Sequence, residues 1–291
     1  MSLRSGYNVA AAARSLGHDV AEADVDANLT RTLEHADVVF IALHGRDGED
    51  GTLQLACEAL GVAYTGSPPL ASRLCFDKGL SKGLLLKAGF PTPPAFVIPA
   101  EAVRHMGAGA ALRNAAKRLG FPLVVKPAAQ GSALGLALVE DPEELTAVSL
   151  AAFDHGDRVL VERFVPGIEV SVPVYGAQLS ALPAVEIKTR SQVFDFETRV
   201  SPGAFEFARA SDDVDASVRR LAVDVAAAMG IRDFGRVDMR VGEDGPKILD
   251  VKTCPGLTET SIVTFAAADA SLRFEDFVSA VLANALARVR Q

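Results

Sequence analysis

At 291 residues and 49% hydrophobic content, the chain is long enough for two or three packed domains and has an ordinary globular composition. A net charge of -8 excludes a general nucleic-acid binder but leaves room for a local basic pocket. No apolar run of about 18 residues occurs and the N-terminus carries no apolar signal core, so no membrane span is expected and the expected compartment is the cytoplasm.

In chain order, residues 2–16 read as a helix with Ala10, Ala13 and Leu16 on one face and Gly17 as its stop. Residues 18–25 read as a short strand, 28–35 as a helix, and 37–43 (DVVFIAL) as a buried strand entering the glycine-rich HGRDGEDG. A helix over 53–60 and a strand over 62–65 continue an alternation that argues for α/β layers. The chain therefore opens on a helix, where such a layer normally opens on a central strand. After a helix at 78–88, the prolines of GFPTPPAF forbid a regular continuation and mark a domain boundary. Next come a helix at 112–119, strands at 121–128 and 136–140 around the loop AAQGSALG, and a helix start at 141–145 capped by Asp141. Strands are expected at 158–165, 168–176 and 182–189, and a polar, aromatic loop over 192–213. A helix at 216–229, a hairpin of 234–241 with 246–253, the loop CPGLTETS and a terminal helix at 274–289 complete the chain.

Several side chains could carry chemistry. Lys126 ends an apolar strand before Gly131, Ser132 and Gly135, so it is either a snorkelling lysine at a sheet edge or a phosphate ligand beside a loop that admits phosphate. That loop lacks the Gly-Lys-Ser/Thr ending of a Walker A motif. Asp238 alternates with Arg236 and Arg240, and Asp250 with Lys252, on strands joined by a tight turn. Paired, they would make either a magnesium–phosphate site or a surface salt-bridge ladder. His44 lies at a strand end, where ligand contacts gather in α/β folds, or else caps a turn. Glu49 and Asp50 orient that loop or cap the next helix. The three cysteines are too scattered for a disulfide framework or zinc knuckle and read as packing residues; only Cys254 falls in a candidate site loop. No G-x-S-x-G supports a serine triad.

Taken together, HGRDGEDGTLQ, YTGSPPLASRLCFDK, GFPTP, FPLVVKPAAQGSALG, VERFVPGIEVSV, GRVDMRV and DVKTCPGLTETS resemble the D-alanine–D-alanine ligase family of the ATP-grasp superfamily, in family order from residue 2 to about 265. The resemblance implies an α/β (α+β) ATP-grasp fold. It would comprise an N-terminal Rossmann-like preATP-grasp domain lacking its first strand (1–90), a central subdomain (91–166) and a C-terminal catalytic subdomain (167–291). It implies ATP contacts from Lys78, Lys126 and Ser132, an adenine hinge of Glu162, Arg163, Phe164 and Val165, and a ribose contact from Glu169. His44, Arg236, Gly256 and Ser261 would meet the amino acids, and Asp238 and Asp250 would hold Mg²⁺ or Mn²⁺. His44, Arg236, Ser132 and Lys252 form the implied catalytic set. The implied activity joins two small amino acids, D-alanine to D-alanine, through an acyl phosphate, in a homodimer that binds neither nucleic acid nor membrane. The alternatives are a nucleotide-binding paralogue with little or no turnover and a ligase for another amino-acid pair.

The chain departs from the family pattern at four places. The sequence starts after the family's opening strand and glutamate loop, which are either lost or lie before its first residue. The family's Glu-x-Asn is Asp250-x-Lys252. Its Lys-Tyr is Arg199-Val200, and SPGAFEFARAS lacks the family's Pro-Ala. The departures gather on the amino-acid side and at the second metal position.

Overall fold

The computed structural model describes residues 2–289. Its first element, the helix Ser2–Ser15, buries Val9, Ala12 and Ala13 against Phe277, Val278 and Val281 of the last helix, Phe274–Val289. The two ends of the chain thus share one core. Residues 18–25 form no strand: Val20 and Val25 are their only large apolar side chains beside three acids, and among the described residues no partner strand lies beside them. The expected strand at 37–43 shrinks to Val38–Val39, paired in parallel with Ala63–Tyr64. Its ladder is no longer than its short partner, and beyond it the Thr65 hydroxyl accepts from the Ile41 amide at 3.2 Å.

A second sheet has four antiparallel strands in the order Ala95–Pro99, Arg158–Arg163, Leu123–Pro127, Ala137–Val139. The helices Ala108–Leu119 and Leu145–Phe153 close its apolar face around Leu112, Leu123, Val125 and Val161. Asp141 does not cap a helix: it accepts from the Glu143 amide in a turn, and the helix starts four residues after it. The boundary segment 89–96 ends in the edge strand Ala95–Pro99, which its prolines had concealed.

The third sheet positions the site. It runs Phe205–Arg209, Val185–Thr189, Ile168–Gly176, Asp233–Gly242, Gly245–Lys252, with Ser180–Ala181 added to Ile168–Gly176. On one face Val170, Val172, Val174, Val237 and Met239 meet Val218, Ala222, Val225 and Ala226 of the helix Asp212–Ala228, whose spacing makes a single apolar stripe. Period-two alternation sends Glu169, Ser171, Arg236 and Asp238 to the other face. One bulge resets that alternation. Asp238 pairs with Asp250 but Met239 pairs with Ile248, leaving Leu249 as the extra residue. Ile248 then returns to the core while Leu249 and Asp250 both face the cleft.

Residues 192–213 are more regular than expected. They hold the helix Phe196–Val200 and the strand Phe205–Arg209, which pairs with Val185–Thr189. Phe205 and Phe207 share a face and pack with Phe194 and Phe265, at centroid separations of 5.0 to 6.2 Å. The helices Pro69–Phe76 and Ile262–Asp269 also lack a clear sequence signal. No described helix is long and apolar enough to cross a membrane.

Candidate active site

The functional side chains meet in a cleft of about 240 Å³ over the polar face of the third sheet. Lys78, Lys126, Arg199, Arg236 and Lys252 line it against three carboxylates, Glu169, Asp238 and Asp250. A chain with net charge -8 has thus gathered excess positive charge in one place, which suits an anionic ligand. Ser132 lies at the mouth with φ of +57°, in a loop whose Gln130 carbonyl accepts from Lys78 Nζ at 2.7 Å. Gly256 and Ser261 line the far side. A narrower slot adjoins the cleft between Glu162, Arg163, Phe164 and Val165 on one side and Leu249 and Arg240 on the other.

Lys78 opens the helix Lys78–Lys87, capped by the Asp77 carboxylate on the amides of Gly79 and Leu80. Burial pushes its pKa down to about 8, against the attraction of Asp250 at 3.5 Å. One turn later Lys82, which no local sequence pattern singles out, donates to Thr92 Oγ1 and lies 2.8 Å from Glu162 Oε2, an ion pair that falls short of hydrogen-bond geometry. Lys126 meets Glu162 Oε1 at 2.5 Å. Burial would raise the Glu162 pKa, but Lys126 and Lys82 outweigh it and hold the group below the ordinary carboxylate value. The Glu162 carboxylate is therefore occupied by two lysines, whatever its backbone offers the slot.

Arg236 grips Asp238 through Nε and Nη2, both at 2.7 Å, and Ser171 Oγ donates to the same carboxylate at 2.6 Å. Asp250 lies 3.2 Å from Lys252, and burial is outweighed there by Lys252, Lys78 and Lys126, so its pKa falls far below the usual range. Lys252 also meets Glu49 Oε2 at 3.5 Å. Burial opposes the Lys252 charge, yet Asp250 and Glu49 prevail and raise its pKa. Glu49 does what its loop needs as well: Oε1 accepts from the Gly45 amide. That loop is tight enough that a Cβ on Gly48 would lie 2.0 Å from the Leu43 carbonyl oxygen. Asp50 accepts from the Thr52 amide in the turn before the helix Thr52–Leu60, whose N-cap is Gly51.

Glu169 is raised in pKa by burial, partly offset by Arg240. Arg240 spans three elements, with Glu169 at 3.8 Å, the Gln192 carbonyl at 2.7 Å and the Phe164 ring centroid at 4.8 Å. Nothing in the spacing of Arg240 alone announces that role. Val200 is exposed and Arg199 faces the cleft.

His44 stands behind the cleft. Its Nδ1 lies 3.0 Å from the Cys254 carbonyl, which only a donor can satisfy, and its Nε2 lies 2.8 Å from Ser5 Oγ. Ser5 Oγ also accepts the Leu257 amide, and a neutral ring with its proton on Nδ1, taking the Ser5 hydroxyl proton at Nε2, satisfies all three contacts. Burial lowers the His44 pKa. Below pH 6.5 the unfolded chain takes up a proton that folded His44 resists, so stability falls as the pH drops through that value. The unfolding free energy of His44→Asn is expected to vary less than wild type between about pH 5 and 7. Parallel curves in urea titrations at several pH values would remove this role. Cys254 is no nucleophile: burial raises its thiol pKa strongly, and Sγ donates to the Ile41 carbonyl.

A divalent ion fits this donor set in a limited way. Among the described residues no cluster of three or more His, Cys, Asp or Glu is placed to hold a metal. Asp238 and Asp250, opposed across two strands, suit one hard ion that completes its shell with phosphate oxygens.

Family models described as "D-ala D-ala ligase N-terminus" and "D-ala D-ala ligase C-terminus" match residues 2–67 and 84–283. The D-alanine–D-alanine ligase of Desulforudis audaxviator is 39% identical, over 96% of this chain and 91% of its own length. That of Aquifex aeolicus is 36% identical, over 97% and 94%. A crystal structure of D-alanine–D-alanine ligase from Bacillus anthracis superposes with a TM-score of 0.84 at 26% identity, over 99% of this chain and 93% of that one. The same enzyme complexed with ATP gives 0.85 at 24% identity, over the same shares.

Proposed function

The chain belongs to the D-alanine–D-alanine ligase family of the ATP-grasp superfamily, and on that premise we propose that it joins two D-alanine molecules in an ATP-driven reaction. The observation that carries this reading is the cationic cleft with its adjoining slot, whose gathered lysines and arginines suit the phosphates of a nucleotide. The proposed division is a preATP-grasp unit over 1–90, a central unit over 91–166 and a catalytic unit over 167–291, with a homodimer included on family resemblance alone.

In this reading Lys78 and Lys126 hold phosphate oxygens, with Ser132 above them, while residues 162–165 flank the base and Glu169 meets the ribose. A carboxylate oxygen of the first amino acid attacks the γ-phosphorus, and the bond to the ADP oxygen breaks. The amine of the second then attacks the acyl carbon; the C–N bond forms, phosphate leaves and the amine loses a proton. Arg236 faces the negative charge that develops in both steps, and Gly256 and Ser261 border the second amino acid. His44 holds the Cys254 carbonyl and so fixes the start of that border. A Mg²⁺ or Mn²⁺ ion held by Asp238 and Asp250 would add neutralising charge on the phosphoryl oxygens.

The test is phosphate release from ATP and Mg²⁺ with a panel of D- and L-amino acids, and identification of the product by mass. Turnover with D-alanine and formation of the dipeptide are expected. Nucleotide binding without amino-acid-dependent turnover would replace this reading with that of a non-catalytic paralogue. Turnover confined to another amino acid would redirect the substrate.

A further inference from the structure

Three acidic side chains from distant parts of the sequence approach the base of the cleft. Asp238 and Asp250 oppose each other across two strands, and Glu49 arrives from the HGRDGEDG loop. Asp238 is already neutralised by the bidentate grip of Arg236. Lys252 sits between the other two, with Nζ 3.2 Å from Asp250 and 3.5 Å from Glu49, and is only 9% exposed. A cation that bridged Asp250 and Glu49 would need the volume that this ammonium fills. A lysine ammonium has three donors, and two carboxylates leave one direction open to the cleft that Lys252 lines.

We infer that Lys252 is a resident cation of the nucleotide site, supplying through the chain the positive charge that a second divalent ion would bring, so that the site takes one divalent ion per nucleotide. The inference rests on the nucleotide reading of the cleft. It gives Glu49 a function at the site: it holds the ammonium in place from the far side and ties the N-terminal loop to the phosphate end of the cleft. A fixed charge is present before any ion arrives, so nucleotide binding depends weakly on metal.

The experiment is titration of the full chain with a non-hydrolysable ATP analogue in Mg²⁺ and in EDTA, together with a count of bound Mn²⁺ by electron paramagnetic resonance. Wild type is expected to bind in EDTA within about tenfold of its affinity in Mg²⁺, with one Mn²⁺ per chain in the analogue complex. Lys252→Asn is expected to lose about a hundredfold in EDTA and to recover in Mg²⁺. If that variant does not fold, the wild-type affinities and ion count decide the matter by themselves. Two Mn²⁺ per wild-type chain, binding abolished by EDTA, or a folded Lys252→Asn that binds like wild type in EDTA would each overturn the inference. No binding by wild type even in Mg²⁺ would overturn the nucleotide reading beneath it.

Discussion

Glu162→Gln is expected to lower the unfolding free energy by about 3–5 kcal/mol, the cost of leaving a buried charge without its partner. Glu162 is 2% exposed, and its carboxylate separates two buried lysines, Lys126 at 2.5 Å and Lys82 at 2.8 Å. Glutamine keeps the volume but removes the charge, so the ammoniums face each other across a neutral amide. Burial already lowers the Lys82 pKa, and Glu162 is the largest influence opposing that. Urea titration should show the midpoint falling with the slope unchanged. Adding Lys82→Met to Glu162→Gln removes one of the repelling charges and should recover a substantial part of the loss, which identifies electrostatics rather than packing as its source. The acid limb follows the same logic. The folded Glu162 pKa lies below its unfolded value of 4.5, so its contribution is present above that pH and is lost on acidification through the folded value. A loss under about 1 kcal/mol would mean that Glu162 is not what holds the two lysines.

That triad also shows where sequence reading ends. Lys126 stands out because it sits in an apolar strand, and Glu162 only through the family resemblance, but their direct partnership and the arrival of Lys82 depend on two strands and a helix meeting in space. The hairpin from Asp233 to Lys252 was legible, since strict alternation and a tight turn encode it locally. The bulge at Leu249 was not, because it exists only relative to the partner strand; without it Asp250 and Ile248 would compete for the same face. The strand expected at 18–25 fails for the reverse reason: it has some alternation but no edge to pair with. The segment 192–213 was misread as a loop because Phe205 and Phe207 acquire their purpose from Phe194 and Phe265, the latter outside the segment. Glu49 was readable as a loop-orienting acid, which it is, but its ion pair with Lys252 joins positions that no local pattern relates.

Arg236→Lys is expected to reduce kcat by about a hundredfold to a thousandfold, the range found when a preorganised donor to developing charge is removed, while the KM for ATP changes little. The guanidinium spends two donors on Asp238, through Nε and Nη2, and that grip fixes its plane. Its remaining N–H groups are thereby held in place before substrate arrives, so no reorganisation is needed as charge accumulates. Lysine preserves the charge beside Asp238, and so avoids the stability loss of an uncompensated buried carboxylate. It cannot reproduce the fork. The substitution therefore separates charge from orientation. If Arg236 acts by charge alone, Arg236→Lys keeps most of the turnover and Arg236→Met loses it. If it acts by orientation, both lose it, and they differ in stability rather than rate. Nucleotide affinity is the control, because Lys78 and Lys126 remain to hold the phosphates. A kcat for Arg236→Lys within about threefold of wild type, or a loss confined to the KM for ATP, would move the stabilising role away from this arginine.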